Sequence, residues 1–214
     1  TKKLKKQNQS GQRLYQIGET YGSPDLIASY LGHGLLDAQF DFNFYDAAVQ
    51  YCADLGTDAA RMASVVQNSL NVYGYHHLMG NISGNQDKPR FISLADRNVS
   101  PDEDSKLAGY TRNIQAGDTL GYQRLALLHA LNHAVPGIPV VYYGDEYGMA
   151  GGNDPDNRRF MKWSNYSPAE QALRLRTQEI VTARKNSMAL TYGYTEVFSP
   201  SADVLVIHRQ YLSE

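Results

Sequence analysis

A single cysteine in 214 residues excludes an internal disulfide and leaves the redox compartment open. Cys52 lies in an apolar helical pattern and reads as a buried structural thiol. No apolar run approaches the length of a membrane-spanning helix. Neither sign of charge dominates: 20 Lys and Arg face 22 Asp and Glu, a formal charge of −2, so nothing argues for nucleic acid or anionic membrane as a partner. The local cluster Lys2, Lys3, Lys5 and Lys6 reads as the solvated end of a helix. An initiator Met and a leader segment are also missing. The chain opens at Thr1 in what reads as the end of a helix, so a piece of a longer protein is expected, and periplasmic, extracellular and cytoplasmic locations all stay open. Trp occurs once and Phe six times, against 16 Tyr. A tyrosine ring offers a flat apolar face with a hydroxyl, which suits a sugar lying against it, although most of these rings are expected simply to pack.

What is present is an alternation of short apolar runs with helical patterns, without an internal repeat. Leu14 to Ile17 reads as a strand ending at Gly18-Glu19, and Ser23-Pro24-Asp25 opens a helix with Ser as cap and Pro at its first position. Leu35 to Phe42 reads as a strand, Tyr45 to Leu55 as a helix, and Asp58 to Val66 as a further helical turn or two. His77 to Ile82 is the next strand. Ser100-Pro101-Asp102-Glu103 is a helix-start signature, and Leu125, Leu128, Leu131 and Val135 mark the apolar face of a helix that stops before Pro136-Gly137. Ile138 to Tyr143, apolar on both faces, reads as a buried parallel strand. Gly148 to Met161 is a polar loop. Ser167-Pro168-Ala169-Glu170 is a capping box, with Leu173, Thr177, Ile180 and Val181 on the inward face behind it. Thr195 to Phe198 and Val204 to His208 read as an antiparallel pair turning at Ser199-Pro200-Ser201, the first hairpin of an all-β domain. Four strand–helix units followed by a change of style predict half of a (β/α) barrel with its downstream neighbour begun.

A barrel displays its chemistry at the C-terminal ends of its strands. Glu19 and Asp87 fall there, two carboxylates on neighbouring walls of one cleft, as glycoside hydrolysis requires. Burial behind an apolar strand would keep Glu19 protonated as a general acid. Asp87 follows Gly84 and Asn85, where a tight turn points its carboxylate into the cleft. The competing reading for either acid is a strand-end carboxylate that caps a helix or pairs with a lysine. His129 and His133 have metal-ligand spacing on a helix but lack the Glu of a zinc-protease motif, and His76 and His77 point to opposite sides of a strand. Asn153, Asp154 and Asp156 lack EF-hand spacing. No metal ligand is assigned.

Four stretches carry a resemblance: Gly18-Glu19-Thr20-Tyr21, Gly84-Asn85-Gln86-Asp87-Lys88-Pro89-Arg90-Phe91, Gly137-Ile138-Pro139-Val140-Val141-Tyr142-Tyr143-Gly144-Asp145-Glu146 and Gly151-Gly152-Asn153-Asp154-Pro155-Asp156-Asn157-Arg158-Arg159. In this order and spacing the chain resembles the α-amylase superfamily, the family 13 glycoside hydrolases. The last stretch is similar to the loop after the final barrel strand in neopullulanase- and cyclomaltodextrinase-like members.

The resemblance implies an α/β fold: the C-terminal half (strands 5 to 8) of a TIM (β/α)8 barrel over residues 1–190, then the start of a C-terminal all-β domain over residues 191–214. It implies a retaining glycosidase acting on α-linked glucans of the starch and glycogen type, or a transglycosylase using the same residues. It gives Glu19 the role of acid/base and Asp87 that of transition-state stabiliser. Asp154 and Arg158 become a sugar-holding pair on the donor side, and Tyr21 borders the acceptor sugar. The family nucleophile, an Asp in a Gly-x-Arg-x-Asp strand, is expected upstream of Thr1 with most of the family's calcium site. No cofactor then falls in this stretch, calcium being left to the full-length enzyme, and the isolated chain is expected to be inactive. Gln86 stands where the family most often has His before the stabilising Asp, which bears on substrate preference and leaves a non-catalytic glucan-binding or interaction module as the rival reading. Open barrel edges at the first and last strands predict self-association.

Overall fold

The computed structural model describes residues 14–32, 35–117 and 119–212. The expected lysine-bearing helix end at residues 1–13 and the chain end at 213–214 lie outside the described residues. Four short strands run parallel and in chain order. β1 (Ile17–Gly18) pairs with β2 (Ala38–Gln39) in the register Ile17 to Ala38. The bridge from Phe40 to Gly80 carries the ladder on to β3 (Gly80–Ile82), which pairs with β4 (Ile138–Val140) in the register Gly80 to Ile138. Among the described residues β1 and β4 each have one strand neighbour. That explains a correction at Ile138–Val140: the all-apolar run predicted a buried strand, but β4 is only half-buried because its outer flank is uncovered.

The helices between the strands begin where side chains satisfy their free N–H groups. α1 (Pro24–Ala28) starts with Pro at its first position, and Ser23 Oγ accepts from the Leu26 amide at 3.3 Å, as expected. α2 (Phe42–Cys52) is capped by Asp41 and buries Phe44, Tyr45, Ala48, Val49 and Cys52. It starts three residues before the expected Tyr45, inside the segment read as the end of a strand. α3 (Ala59–Tyr73) runs well past the expected Val66, because Leu70 and Ser69 continue its buried face to Gly74. α4 (Phe91–Ala95) follows β3, and α5 (Ser105–Thr111) begins later than Ser100-Pro101-Asp102-Glu103 predicts. There Glu103 folds back onto the Ser100 amide at 2.6 Å to close a turn, and Asp104 caps the helix. α6 (Thr119–Ala134) buries Leu125, Leu128 and Leu131 against α4, α2 and α7.

α7 (Pro168–Asn186) opens with the expected capping box, Ser167 Oγ accepting from the Glu170 amide while the Glu170 carboxylate accepts from the Ser167 amide. Leu173 and Thr177 are buried behind it, and Ile180 and Val181 are half-buried. After the short α8 (Met188–Tyr192) the chain forms an antiparallel hairpin, β5 (Tyr194–Ser201) with β6 (Val204–Gln210). Its turn is Ala202-Asp203 instead of Ser199-Pro200-Ser201. Pro200 falls in a register shift between Phe198 and Ser201, where no ladder amide is needed. The hairpin lies along α3, and the Ala202 carbonyl accepts from the first α3 amide at 2.8 Å.

His77, ahead of β3, gives the fold a pH dependence. Burial, helped by the nearby Arg209 charge, lowers its pKa from 6.5 to about 4, and its Nδ1 accepts from the Met79 amide at 3.2 Å, which requires an unprotonated nitrogen. A histidine depressed in the folded state contributes stability above its unfolded pKa and loses it as the pH falls toward the folded value. Denaturant unfolding should therefore show stability dropping between pH 6.5 and about 4, by up to about 3 kcal/mol from this group. His77→Gln should flatten that slope, and an unchanged slope would assign the loss elsewhere.

Candidate active site

The loops after β1, β3 and β4 meet at one end of the strands, and a buried ion pair fastens two of them. β4 continues through Tyr142 and Tyr143 into a turn where Gly144 adopts φ +88, a conformation that favours glycine, and that turn delivers Asp145 inward. Asp145 is 2% exposed and meets Arg90, equally buried, at 3.0 Å. The other Asp145 oxygen accepts from the Ser83 hydroxyl at 2.6 Å, and Ser83 Oγ in turn accepts from the Tyr142 amide. A Cβ on Gly84 would stand 3.3 Å from Asp145 Oδ2, so the loop after β3 passes close over this pair. Burial pushes the Asp145 carboxyl up, while Arg90 and Ser83 pull it down. The guanidinium also donates to the Asn157 and Tyr143 carbonyls and lies over the Tyr142 and Tyr143 rings at 4.2 and 4.8 Å. Asn157, fully buried, completes the fastening by donating to the Gln86 and Lys88 carbonyls at 2.8 Å.

On this support stand the residues singled out in the sequence. Glu19, just past the end of β1, is exposed and not buried as expected: β1 ends at Gly18, and no strand covers the residue that follows it among the described residues. Asn85, 7% exposed, links it to the loop after β3: its Nδ2 donates to Glu19 Oε1 at 2.9 Å and its Oδ1 accepts from the Asp87 amide at 3.0 Å. Asp87 is exposed and accepts from Gln86 Nε2 at 3.1 Å and from Arg158 at 3.2 Å. Arg158, from a 3-10 turn at Asp156–Arg158, holds Asp154 through Nε at 2.8 Å. Glu19, Gln86, Asp87, Asp154 and Arg158 are thus joined in one network.

Tyr21 stands beside that network in a second cluster. Its hydroxyl donates to Asp46 at 2.9 Å, which pushes the phenol pKa up, and Lys88 Nζ sits 4.7 Å above its ring and 3.5 Å from Asp46. His129 and His133 are buried against the carbonyls of Asp145 and His129 respectively. Asp156 accepts from the Gly152 amide and pairs with Arg159, while Asn153 accepts from the Asp154 amide. Among the described residues no group of three or more His, Cys, Asp or Glu side chains is placed to hold a metal ion.

The supporting residues Arg90, Asp145, Asn157, Asn85, Asp46 and Lys88 were not legible as a set. Arg90 and Asp145 stood inside motifs quoted for the resemblance, but nothing local pairs an arginine with an aspartate 55 positions on.

Comparisons with known proteins identify the relatives of this chain. The alpha amylase catalytic domain model matches residues 1–190. The chain is 28% identical over 213 residues to an amylopullulanase of Thermoanaerobacter thermohydrosulfuricus, covering 97% of this chain and 13% of that protein. It is 27% identical over 202 residues to a cyclomaltodextrinase of Geobacillus thermopakistaniensis, covering 92% of this chain and 29% of that one. The alpha-amylase of Geobacillus thermoleovorans, solved in complex with acarbose, superposes with a TM-score of 0.72 at 27% identity, covering 93% of this chain and 40% of that structure. The chain spans well under half the length of each of these relatives. With an α/β fold shared with these enzymes and the family model matching most of its length, the chain belongs to the α-amylase catalytic-domain family.

Proposed function

We propose that this chain supplies the acid/base and transition-state-stabilising walls of a retaining glycosidase that cleaves α-glucosidic bonds in starch- or glycogen-type glucans and maltooligosaccharides. The observation that carries the reading is the pair of exposed carboxylates from separate strands, Glu19 and Asp87, tied through the single buried side chain of Asn85. On this reading β1 to β4 are strands 5 to 8 of a (β/α)8 barrel over residues 1–190, and the β5–β6 hairpin begins an all-β domain; the parallel order in chain sequence and the span of the family match support it.

Glu19 donates its proton to the glycosidic oxygen as the bond to the anomeric carbon breaks. An aspartate contributed by sequence upstream of Thr1 attacks that carbon from the opposite face. Water then displaces the sugar from the aspartate, and Glu19 takes the water's proton back. Retention sets the two carboxyls about 5–5.5 Å apart. Asp87 accepts hydrogen bonds from the ring hydroxyls of the sugar under attack. Arg158, bound to both Asp87 and Asp154, aligns the donor-side sugar, and Tyr21 borders the acceptor. A sugar in place of water as acceptor uses the same residues, giving a transglycosylase. One observation favours a non-catalytic glucan-binding or interaction module instead: Gln86 stands before Asp87 where the family most often has His, and its amide donates to Asp87 Oδ2. The carboxylates Glu19 and Asp87 are both retained, which supports the enzyme.

Three outcomes check the proposal. In the full-length protein, Glu19→Gln should lower maltooligosaccharide turnover by about 10²–10⁴-fold while leaving binding largely intact, and a loss under about threefold would remove Glu19 from the acid role. The isolated 214-residue chain should release no reducing sugar from starch, since it brings no nucleophile to form the covalent intermediate; release abolished by Glu19→Gln would place the whole machinery in these residues. The isolated chain should also self-associate, because among the described residues β1 and β4 each have a strand neighbour on one side only. Light scattering at micromolar concentration should give a mass above the monomer's, and a clean monomer would end the edge-pairing idea.

A further inference from the structure

Lys88 follows Asp87 in the loop after β3, yet its side chain joins none of the Asp87–Arg158–Asp154 contacts and reaches Tyr21 instead. The ammonium stands 4.7 Å over the Tyr21 ring, 5.8 Å over the Tyr45 ring and 3.5 Å from Asp46 Oδ1. Asp46, on α2, gives its other oxygen to the Tyr21 hydroxyl at 2.9 Å. Phe42, at the start of α2, meets the Tyr21 ring edge to face at 5.3 Å, and Asn43 Nδ2 donates to the Gly22 carbonyl at 3.0 Å. An exposed ion pair on its own is worth little. This one is built around an aromatic side chain, two residues on from Glu19, that keeps 65% of its surface in solvent. Held by Asp46, Lys88 and Phe42, that ring has given up its freedom before any ligand arrives, which lowers the cost of binding against it.

What the cluster can hold follows from its charges and its donors. Lys88 and Asp46 balance one another, so an ion of either sign gains little here. The ammonium has three N–H groups, directs one to Asp46 and makes no other hydrogen bond among the described residues. Each Asp46 oxygen accepts one of these bonds and has a further lone pair. The Lys88 side chain is 29% exposed and that of Asp46 37%, so both are reached from solvent. A neutral ligand with an apolar ring face to lay on Tyr21, and neighbouring hydroxyls that both give and accept, engages all three groups. A water molecule has no face to lay on the ring.

We propose that Lys88 is a specificity-determining residue that favours a sugar over water as the acceptor, with Tyr21 and Asp46 completing the acceptor's seat. The inference rests on the retaining-glycosidase reading above. On that reading the acceptor lies where Glu19 can take its proton, and Tyr21 belongs to the same loop as Glu19. In the transfer step the acceptor's hydroxyl oxygen bonds to the anomeric carbon. The bond from that carbon to the upstream aspartate breaks, its electron pair returning to the carboxylate, and the hydroxyl proton passes to the Glu19 carboxylate. Lys88 donates to a neighbouring hydroxyl of the same sugar and exchanges no proton in that step.

The full-length protein, given maltotriose as donor and an excess of isotopically labelled maltose as acceptor, tests this. Label carried into longer oligosaccharides measures transfer, and new reducing ends measure hydrolysis, because transfer conserves their number. Both products come from one intermediate in one sample, so a loss of folded protein cancels from their ratio. Lys88→Met keeps the stem and removes the donors, and should lower the transfer-to-hydrolysis ratio about tenfold, the loss expected for a hydrogen bond from a charged group. Lys88→Arg keeps a cation with N–H donors and should bring the ratio back to within about threefold of the unsubstituted protein. A ratio within about twofold of the unsubstituted protein in Lys88→Met overturns the assignment. A fall that Lys88→Arg does not restore marks a packing role and overturns it too, as does hydrolysis without any labelled longer product in the unsubstituted protein. In each of those cases turnover persists and the glycosidase reading stands; no turnover by the unsubstituted protein overturns that reading and this inference with it.

Discussion

The arrangement depends on the ion pair between Arg90 and Asp145. Each sits in a different loop, and each is almost wholly removed from water. An ion pair so buried costs much of its Coulomb gain in desolvation, so its value lies less in net stability than in the geometry it forces. Breaking one half is another matter: an uncompensated charge left in the interior costs about 3–5 kcal/mol. The pair therefore acts as a condition on the fold. The loop after β3 and the turn after β4 are either together or both lost.

Everything else about the site is arranged around that condition. The guanidinium spends its remaining donors on the Tyr143 and Asn157 carbonyls, and Asn157 spends its amide on the loop that carries Gln86 and Asp87. The exposed groups Glu19, Asp87 and Arg158, with half-buried Asp154, make more solvated contacts on top of this buried lattice. Supporting residues are hidden and hydrogen-bonded to the loops they hold, while working residues stand closer to solvent. That division is what a pre-organised site needs, since only the exposed groups have to change partners when a ligand arrives.

Legibility in the sequence followed the range of the interaction. The Ser23 and Ser167 caps were readable because all participants lie within four residues. The alternation of strands and helices was readable from periodicity, and the strand-end carboxylates followed from it. Misreadings arose where a distant partner decided the outcome. α3 outran its apparent pattern because Leu70 finds the core, although polar residues surround it in the chain. The apolar run at β4 could not announce that the strand would be only half-buried, with one strand neighbour among the described residues. Pro200 looked like a turn residue but sits in a strand irregularity, with Ala202-Asp203 making the turn. Glu19 was legible as a strand-end carboxylate but not in its surroundings, since the Asn85 amide that meets it lies 66 positions away. Arg90 with Asp145, and Asn85 with Glu19, span 55 and 66 positions and leave no local trace of pairing.

The Asn85 side chain carries one further consequence. A carboxamide is polar end to end: one end can only give hydrogen bonds and the other can only accept them. With its nitrogen on Glu19 and its oxygen on the Asp87 main chain, it is oriented like a compass needle between two walls. The reversed orientation would set its nitrogen against the Asp87 N–H and its oxygen against the Glu19 carboxylate, so only one orientation satisfies both walls. One buried side chain with no chemistry of its own thus ties the two walls to a single amide orientation.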